Sequence, residues 1–179
     1  MTYANFITYL RIILIPAMVI IFFTSSENPR YLLTFIFFIA SITDYFDGFM
    51  ARRMKQISKH GKFLDPVADK LLVVSSLLIL LVDNNELVIF IPICIIVLRE
   101  ILISALREWV AIDNFKKPLE VNALGKYKTF FQMFSIGFLL FNGTIFTINT
   151  YIIGLYGIYI ASFLSLISMI IYLRNVVKP

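Results

Sequence analysis

Apolar positions along the chain gather into six long runs, roughly Phe6–Phe23, Tyr31–Met50, Phe63–Val82, Leu87–Ile112, Tyr127–Phe141 and Tyr151–Leu173. Most are near the ~20 residues that a helix needs to cross the hydrocarbon core of a bilayer. The breaks between them carry turn chemistry: Ser25-Ser26-Glu27-Asn28-Pro29, Asp83-Asn84-Asn85-Glu86 and Asn142-Gly143-Thr144. The pattern predicts an all-α integral membrane protein of six transmembrane helices. At this length it makes a single domain over residues 1–179, with no internal repeat and no low-complexity segment. Arg11 precedes the apolar stretch Ile12–Phe23, as in a signal peptide, but no convincing small-residue cleavage pattern follows, so the segment reads as a retained first helix.

Composition narrows the class. Of the 179 residues, 60% are hydrophobic and 15% charged, beyond what a soluble domain of this size carries. A water-soluble core is therefore excluded. The net charge of +5 reports topology and contact with anionic membrane lipid before it reports nucleic acid, and no nucleic-acid partner is expected. Six helices put both termini on one side, together with the 51–62 and 112–128 loops. Of the 16 Lys and Arg residues, all but Arg30 fall on that side or on the helix ends next to it. The positive-inside rule makes it cytoplasmic, which predicts a multi-pass protein of the inner or plasma membrane with both termini in the cytoplasm. Cys94 is the single cysteine and lies in an apolar run, where it reads as a packing residue.

Four aspartates sit where an apolar chain tolerates them least. The second run ends Thr43-Asp44-Tyr45-Phe46-Asp47-Gly48-Phe49-Met50-Ala51-Arg52, and the third opens Gly61-Lys62-Phe63-Leu64-Asp65-Pro66-Val67-Ala68-Asp69-Lys70. Asp44 and Asp47 are three apart, Asp65 and Asp69 four apart, so each pair shares a helix face. The short linker makes the two helices antiparallel neighbours, with both pairs at one depth near the cytoplasmic end. Carboxylates in such a place face a polar cavity or a partner, and four together need metal cations or basic side chains such as Arg52 and Lys70. All-oxygen ligation suits a hard ion, magnesium or manganese. Two such ions make a clamp for phosphoryl transfer. Gly48 and Gly61 flank the cavity and let backbone approach a ligand or another helix. Arg52 offers a fork matched to phosphate.

The run Asp44-x-x-Asp47-Gly48-x-x-Ala51-Arg52, then eight residues, then Gly61-x-x-x-Asp65-x-x-x-Asp69 resembles the signature of the CDP-alcohol phosphotransferase family at all eight positions. The resemblance implies a six-helix fold, usually a homodimer, with two divalent cations in a cytoplasm-facing cavity. It implies metal ligation by Asp44, Asp47, Asp65 and Asp69, with Asp69 also the general base. It further implies that Gly48, Ala51, Arg52 and Gly61 line the site for CDP, and that CDP-diacylglycerol is the donor.

The acceptor is read from basic residues. Arg99 and Arg107 are eight apart on the fourth run, so both can face one side, and Lys126 and Lys128 open the fifth. Such a cationic set suits an acceptor that carries phosphate. Arg99 lies among apolar residues and needs a partner, for which Glu100 and Glu108 are candidates. The segments Asn5-x-x-Thr8-x-x-Arg11 with Pro16, Arg99-Glu100 through Arg107, and Gly125-Lys126-Tyr127-Lys128-Thr129 with Gln132 are similar to the branch of the family whose acceptor is sn-glycerol 3-phosphate and whose product is phosphatidylglycerophosphate. That likeness makes Arg99, Arg107, Lys126 and Lys128 the candidates for the acceptor phosphate. Inositol phosphate, serine or phosphatidylglycerol are alternative acceptors within the family. A cation or proton-coupled transporter is the alternative outside it, disfavoured because no inverted repeat or matching pair of broken helices is seen. The last run, from Tyr151 on, offers no functional signal and is expected to serve packing or dimerisation.

Overall fold

The structure is a computed structural model that describes residues 3–25, 29–54, 59–84, 86–112 and 123–177. Within these ranges the side chains of 3–7, 44–54, 59–63, 123–124, 126 and 176–177 are outside the description. Six helices account for nearly all of it: α1 (Tyr3–Thr24), α2 (Arg30–Met54), α3 (Lys59–Asn84), α4 (Leu87–Ile112), α5 (Ala123–Phe141) and α6 (Thr150–Val177). Each apolar run has become one helix. The fourth keeps the expected bounds, whereas α2 and α3 extend into the charged stretch between them, so the linker there shrinks to residues 55–58.

Hydroxyl side chains inside these helices are satisfied locally. Thr24, Thr34, Ser41, Ser76 and Ser104 each donate to the carbonyl four residues back, at 2.7–2.8 Å. An apolar surround offers no water for the purpose, so the helix itself must supply the acceptor. Asn149 caps α6, its side-chain oxygen accepting from the Tyr151 N–H at 2.9 Å. Between α5 and α6 lies a two-residue hairpin that the apolar pattern does not announce, β1 (Thr144–Ile145) against β2 (Ile148–Asn149). Its turn residues Phe146 and Thr147 both take positive φ, 47° and 72°. Paired strands with a two-residue loop require that twist, and glycine or asparagine usually supplies it.

Side-chain contacts fix the direction of every helix. Thr8 and Arg11 of α1 meet Asp65 and Asp69 of α3 in the same order, so α1 and α3 run parallel. Tyr159 donates to the Val88 carbonyl and Arg99 donates to Ser168, so α4 and α6 are parallel too. Gly154 faces Leu139 and Gly157 faces Ser135, making α5 antiparallel to α6. Tyr31 packs its ring on Phe141, making α2 antiparallel to α5. Arg30 at the start of α2 pairs with Asp83 at the end of α3, 3.1 Å apart. The bundle is therefore up-and-down throughout. One end gathers the start of α1, the end of α2, the start of α3, the second half of α4, the start of α5 and the end of α6. Arg30, the lone basic residue expected at the other end, lies there with Asp83 as its partner.

Residues from all six helices build the core, among them Met18, Phe37, Leu72, Leu77, Ile93, Ile96, Leu139 and Ile158. The outer surface is also apolar: Ile13, Phe23, Phe35, Phe38, Leu98, Ile101, Phe130 and Phe163 are each more than 60% exposed. A protein apolar on both inside and outside is solvated by lipid. Leu87–Ile112 and Thr150–Asn175 are each long and apolar enough to cross a bilayer, with shorter apolar helices at Thr8–Thr24 and Arg30–Thr43. The chain is a membrane protein. In lipid, helix association depends on close packing by small residues, and α5 against α6 is the most extensive contact in the bundle.

A methyl group on Gly154 would lie 2.7 Å from Leu139 Cγ and 3.0 Å from its backbone nitrogen, whereas one on Gly125 would meet nothing within 4 Å. Gly154→Ala is expected to cost about 1–3 kcal/mol through overpacking, and Gly125→Ala to leave stability unchanged or slightly raised. Thermal unfolding in detergent separates the two; equal midpoints would show that the α5–α6 interface is looser than described.

Candidate active site

The gathered end of the bundle carries two groups of charges. The first is acidic and lies between α1 and α3. Thr8 Oγ1 donates to Asp65 Oδ1 at 2.5 Å, and Arg11 donates through Nη1 to Asp69 Oδ1 at 2.6 Å. Arg11 is only 1% exposed, while the Asp69 side chain is 44% exposed. The cation is thus sunk in the bundle and the carboxylate stands at its open edge, with one oxygen held and the group as a whole accessible. Asp69 lies ten residues into α3, about 15 Å from the helix start at 1.5 Å per residue.

Asp44, Asp47, Gly48, Ala51 and Arg52 fall on the last turns of α2, and Gly61 on the first turn of α3; their side chains lie outside the described residues. The up-and-down course of the chain brings these turns to the same end as Asp65 and Asp69. Among the described residues no group of three metal-ligating side chains converges, and two of the four expected ligands are not among them.

The second group is basic and lies where α4, α5 and α6 meet. Lys128 and Arg99 share the carboxylate of Glu100: the Lys128 ammonium donates to Glu100 Oε1, and Arg99 Nη1 approaches the same oxygen at 3.5 Å. Arg99 Nη2 donates to Ser168 Oγ at 3.1 Å. Arg107, two turns further along α4, lies over the ring of Tyr172, 6.0 Å from its centroid. Arg99 and Lys128 are buried, at 8% and 3% exposure. Among the described residues, the buried Nε of Arg99 has no hydrogen-bond partner, and neither do the buried hydroxyls of Ser165 and Tyr172. Two buried cations therefore share one carboxylate, with the exposed Arg107 further along the same helix and one guanidinium nitrogen unpaired among the described residues. That arrangement suits an anion, because a buried N–H left without an acceptor costs about 1–3 kcal/mol.

Three of the four residues expected to hold the acceptor phosphate are brought together here, namely Arg99, Arg107 and Lys128. Lys126 lies two residues before Lys128 on α5, its side chain outside the described residues. Of the two partners expected for Arg99, Glu100 takes the role and Glu108 is exposed. Sequence reasoning missed four residues. Thr8 and Arg11 carried a likeness without a role, although a buried arginine in an apolar first helix already demanded a counter-charge. Ser168 and Tyr172 belong to the helix expected to be silent.

The match to a family model named CDP-alcohol phosphatidyltransferase spans residues 1–173. The chain belongs to the CDP-alcohol phosphatidyltransferase family. Named relatives agree. The CDP-diacylglycerol–glycerol-3-phosphate 3-phosphatidyltransferase of Haemophilus influenzae is 43% identical over 171 residues, covering 94% of this chain and 90% of its own. The protein of the same name from Wigglesworthia glossinidia brevipalpis is 40% identical over 93% of this chain and 90% of its own. That of Escherichia coli strain K12 is 37% identical over the same shares. The family match takes in both charged groups and most of α6.

Glu100→Gln removes the one carboxylate between Lys128 and Arg99. Breaking a buried pair costs about 3–5 kcal/mol because an uncompensated charge remains, so the thermal midpoint in detergent is expected to fall, with Glu100→Asp between the variant and the parent. Added inorganic phosphate is expected to raise the midpoint of Glu100→Gln more than that of the parent. An unchanged midpoint, or no phosphate response in either, would contradict an anion-binding cluster held in check by Glu100.

Proposed function

We propose that this chain transfers the phosphatidyl group of CDP-diacylglycerol to sn-glycerol 3-phosphate, releasing CMP and phosphatidylglycerophosphate in phospholipid biosynthesis. The observation that carries the acceptor is the Arg99–Arg107–Lys128 cluster with its spare guanidinium N–H, at the bundle end that also bears the aspartates. A phosphate on the acceptor satisfies that donor and the excess charge together; serine and inositol carry no phosphate to do so. The names of the relatives support the same acceptor.

The remaining assignments complete the reading. The protein is a single membrane domain over 1–179 with six spans and both termini in the cytoplasm, so the charged end opens to water-soluble acceptor while lipid tails enter from the bilayer. It works as a homodimer in the cell membrane. Asp44, Asp47, Asp65 and Asp69 would hold two divalent cations, magnesium or manganese. Their all-oxygen donor set and the exposed edge of Asp69 fit a hard ion. Bound there, the ions would offset the charge of the donor pyrophosphate. Gly48, Ala51, Arg52 and Gly61 line the CDP site.

The chain's own part in the chemistry follows. Arg99, Arg107, Lys126 and Lys128 bind the phosphate of the acceptor and leave its hydroxyl toward the aspartates. Asp69 accepts the proton of that hydroxyl. The acceptor oxygen bonds to the phosphorus bearing diacylglycerol, the bond from that phosphorus to the bridging oxygen breaks, and CMP departs with that oxygen. Arg11 holds one oxygen of Asp69, which orients the other. Thr8 does the same for Asp65. Positioning and charge stabilisation account for most of the rate in such transfers.

The test is incubation of purified protein with CDP-diacylglycerol, magnesium and labelled glycerol 3-phosphate. Labelled lipid and CMP are expected in equal amounts, abolished by chelation and reduced about 10²–10⁴-fold in Asp69→Asn, the range of general-base assistance. CMP release with inositol phosphate but not glycerol 3-phosphate would replace the acceptor. Folded protein that releases no CMP with any alcohol would overturn the transferase reading and favour a transporter.

A further inference from the structure

The cytoplasmic half of α6 carries three hydroxyls at helical-neighbour spacing, Ser165, Ser168 and Tyr172. Ser41, Ser76, Ser104 and Ser135 on the other helices spend their hydroxyls on their own backbone, four residues back. Even Ser162, one turn earlier on α6, donates to the Tyr159 carbonyl at 2.8 Å. The three later hydroxyls do not. Ser168 accepts from Arg99 of α4. Ser165 and Tyr172 are buried at their oxygens and have no partner among the described residues. The Tyr172 ring lies beneath Arg107. One face of α6 therefore touches both arginines of the basic cluster and leaves two hydroxyls without a partner among the described residues.

Arg99 and Arg107 have long side chains, and each loses much rotamer freedom when it binds an anion. A group that fixes the guanidinium beforehand lowers that cost. Ser168 fixes Arg99 by binding Nη2 while Glu100 meets Nη1, and Nε is the guanidinium nitrogen that has no partner among the described residues. The Tyr172 ring fixes Arg107 from below, and its hydroxyl remains available.

We propose that α6 forms a third wall of the acceptor site, with Ser168 as a positioning residue for Arg99 and the Tyr172 hydroxyl as a direct contact to the acceptor. The assignment rests on the acceptor reading above and assigns to the last helix a role in substrate recognition. It sets Ser168 apart from the packing serines of the bundle: its loss weakens one substrate and not the other.

Steady-state kinetics of the full-length protein, with each substrate varied in turn, tests it. Ser168→Ala is expected to raise KM for glycerol 3-phosphate about tenfold, near the low end of what a hydrogen bond to a charged group is worth. KM for CDP-diacylglycerol is expected to stay within about twofold, and the thermal midpoint to fall by a few degrees because the buried Nη2 loses its acceptor. Ser168→Thr, which keeps the acceptor oxygen, restores KM. Tyr172→Phe keeps the ring under Arg107 and removes only the hydroxyl; it is expected to raise the same KM severalfold and carries the test if Ser168→Ala does not fold. Ser162→Ala, whose hydroxyl is spent within its own helix, leaves both KM values unchanged. If parent protein turns over glycerol 3-phosphate while Ser168→Ala and Tyr172→Phe keep its KM, or shift both substrates alike, the α6 assignment fails alone. If parent protein does not use glycerol 3-phosphate, the acceptor reading fails and takes the α6 assignment with it.

Discussion

A charge inside an apolar bundle must be paired, because neither lipid nor a hydrocarbon core solvates it. That constraint organises the charged end of this protein. Arg11 is buried in the first helix and meets Asp69; Arg99 and Lys128 are buried in the fourth and fifth and meet Glu100. The pairings do not balance locally. On the α1–α3 side Arg11 meets Asp69, Asp65 stands one turn away, and the sequence places Asp44 and Asp47 on the last turns of α2. On the α4–α6 side, Arg99, Arg107 and Lys128 outnumber Glu100. Under the proposed function each group takes a ligand of opposite sign, cations at the first and a phosphate at the second.

Chain course makes the two surpluses neighbours. Strict up-and-down order sends the end of every even helix and the start of every odd helix to one end. Motifs dispersed along the chain from Thr8 to Lys128 are thereby brought to one end of the bundle. Close α5–α6 packing through Gly154 and Gly157 holds α6 against its neighbours, which keeps Ser168 and Tyr172 beside the arginines of α4. A stability feature far from the charged end thus bears on the geometry of the proposed acceptor site.

Much of this was legible in the sequence. Run length predicted each helix, and the uneven placement of Lys and Arg predicted which helix ends would collect charge. Asp65 and Asp69 announced themselves by same-face spacing. Arg99 announced its need for a partner by being charged among isoleucines, and Glu100 answers it. What escaped had no local signal. Ser168 and Tyr172 look like any polar residues on a membrane helix until the parallel packing of α6 on α4 brings them to Arg99 and Arg107. The role of Arg11 needed the register of α1 against α3. The hairpin at 144–149 escaped because Phe146 and Thr147 take positive φ without glycine, a choice made by the chain closing between two helices and not by local propensity.

The account depends most on the carboxylate surplus being a metal site. Electron paramagnetic resonance of manganese titrated into the detergent-purified, full-length protein reads this without any substrate. Two manganese ions per chain, with the free-ion signal lost and a spin-coupled pair formed, are the expected result. Asp65→Asn, which keeps an acceptor for Thr8, is expected to abolish the coupling. A free-ion signal that the protein leaves unchanged, or binding that Asp65→Asn does not weaken, would contradict the assignment of Asp44, Asp47, Asp65 and Asp69 as ligands.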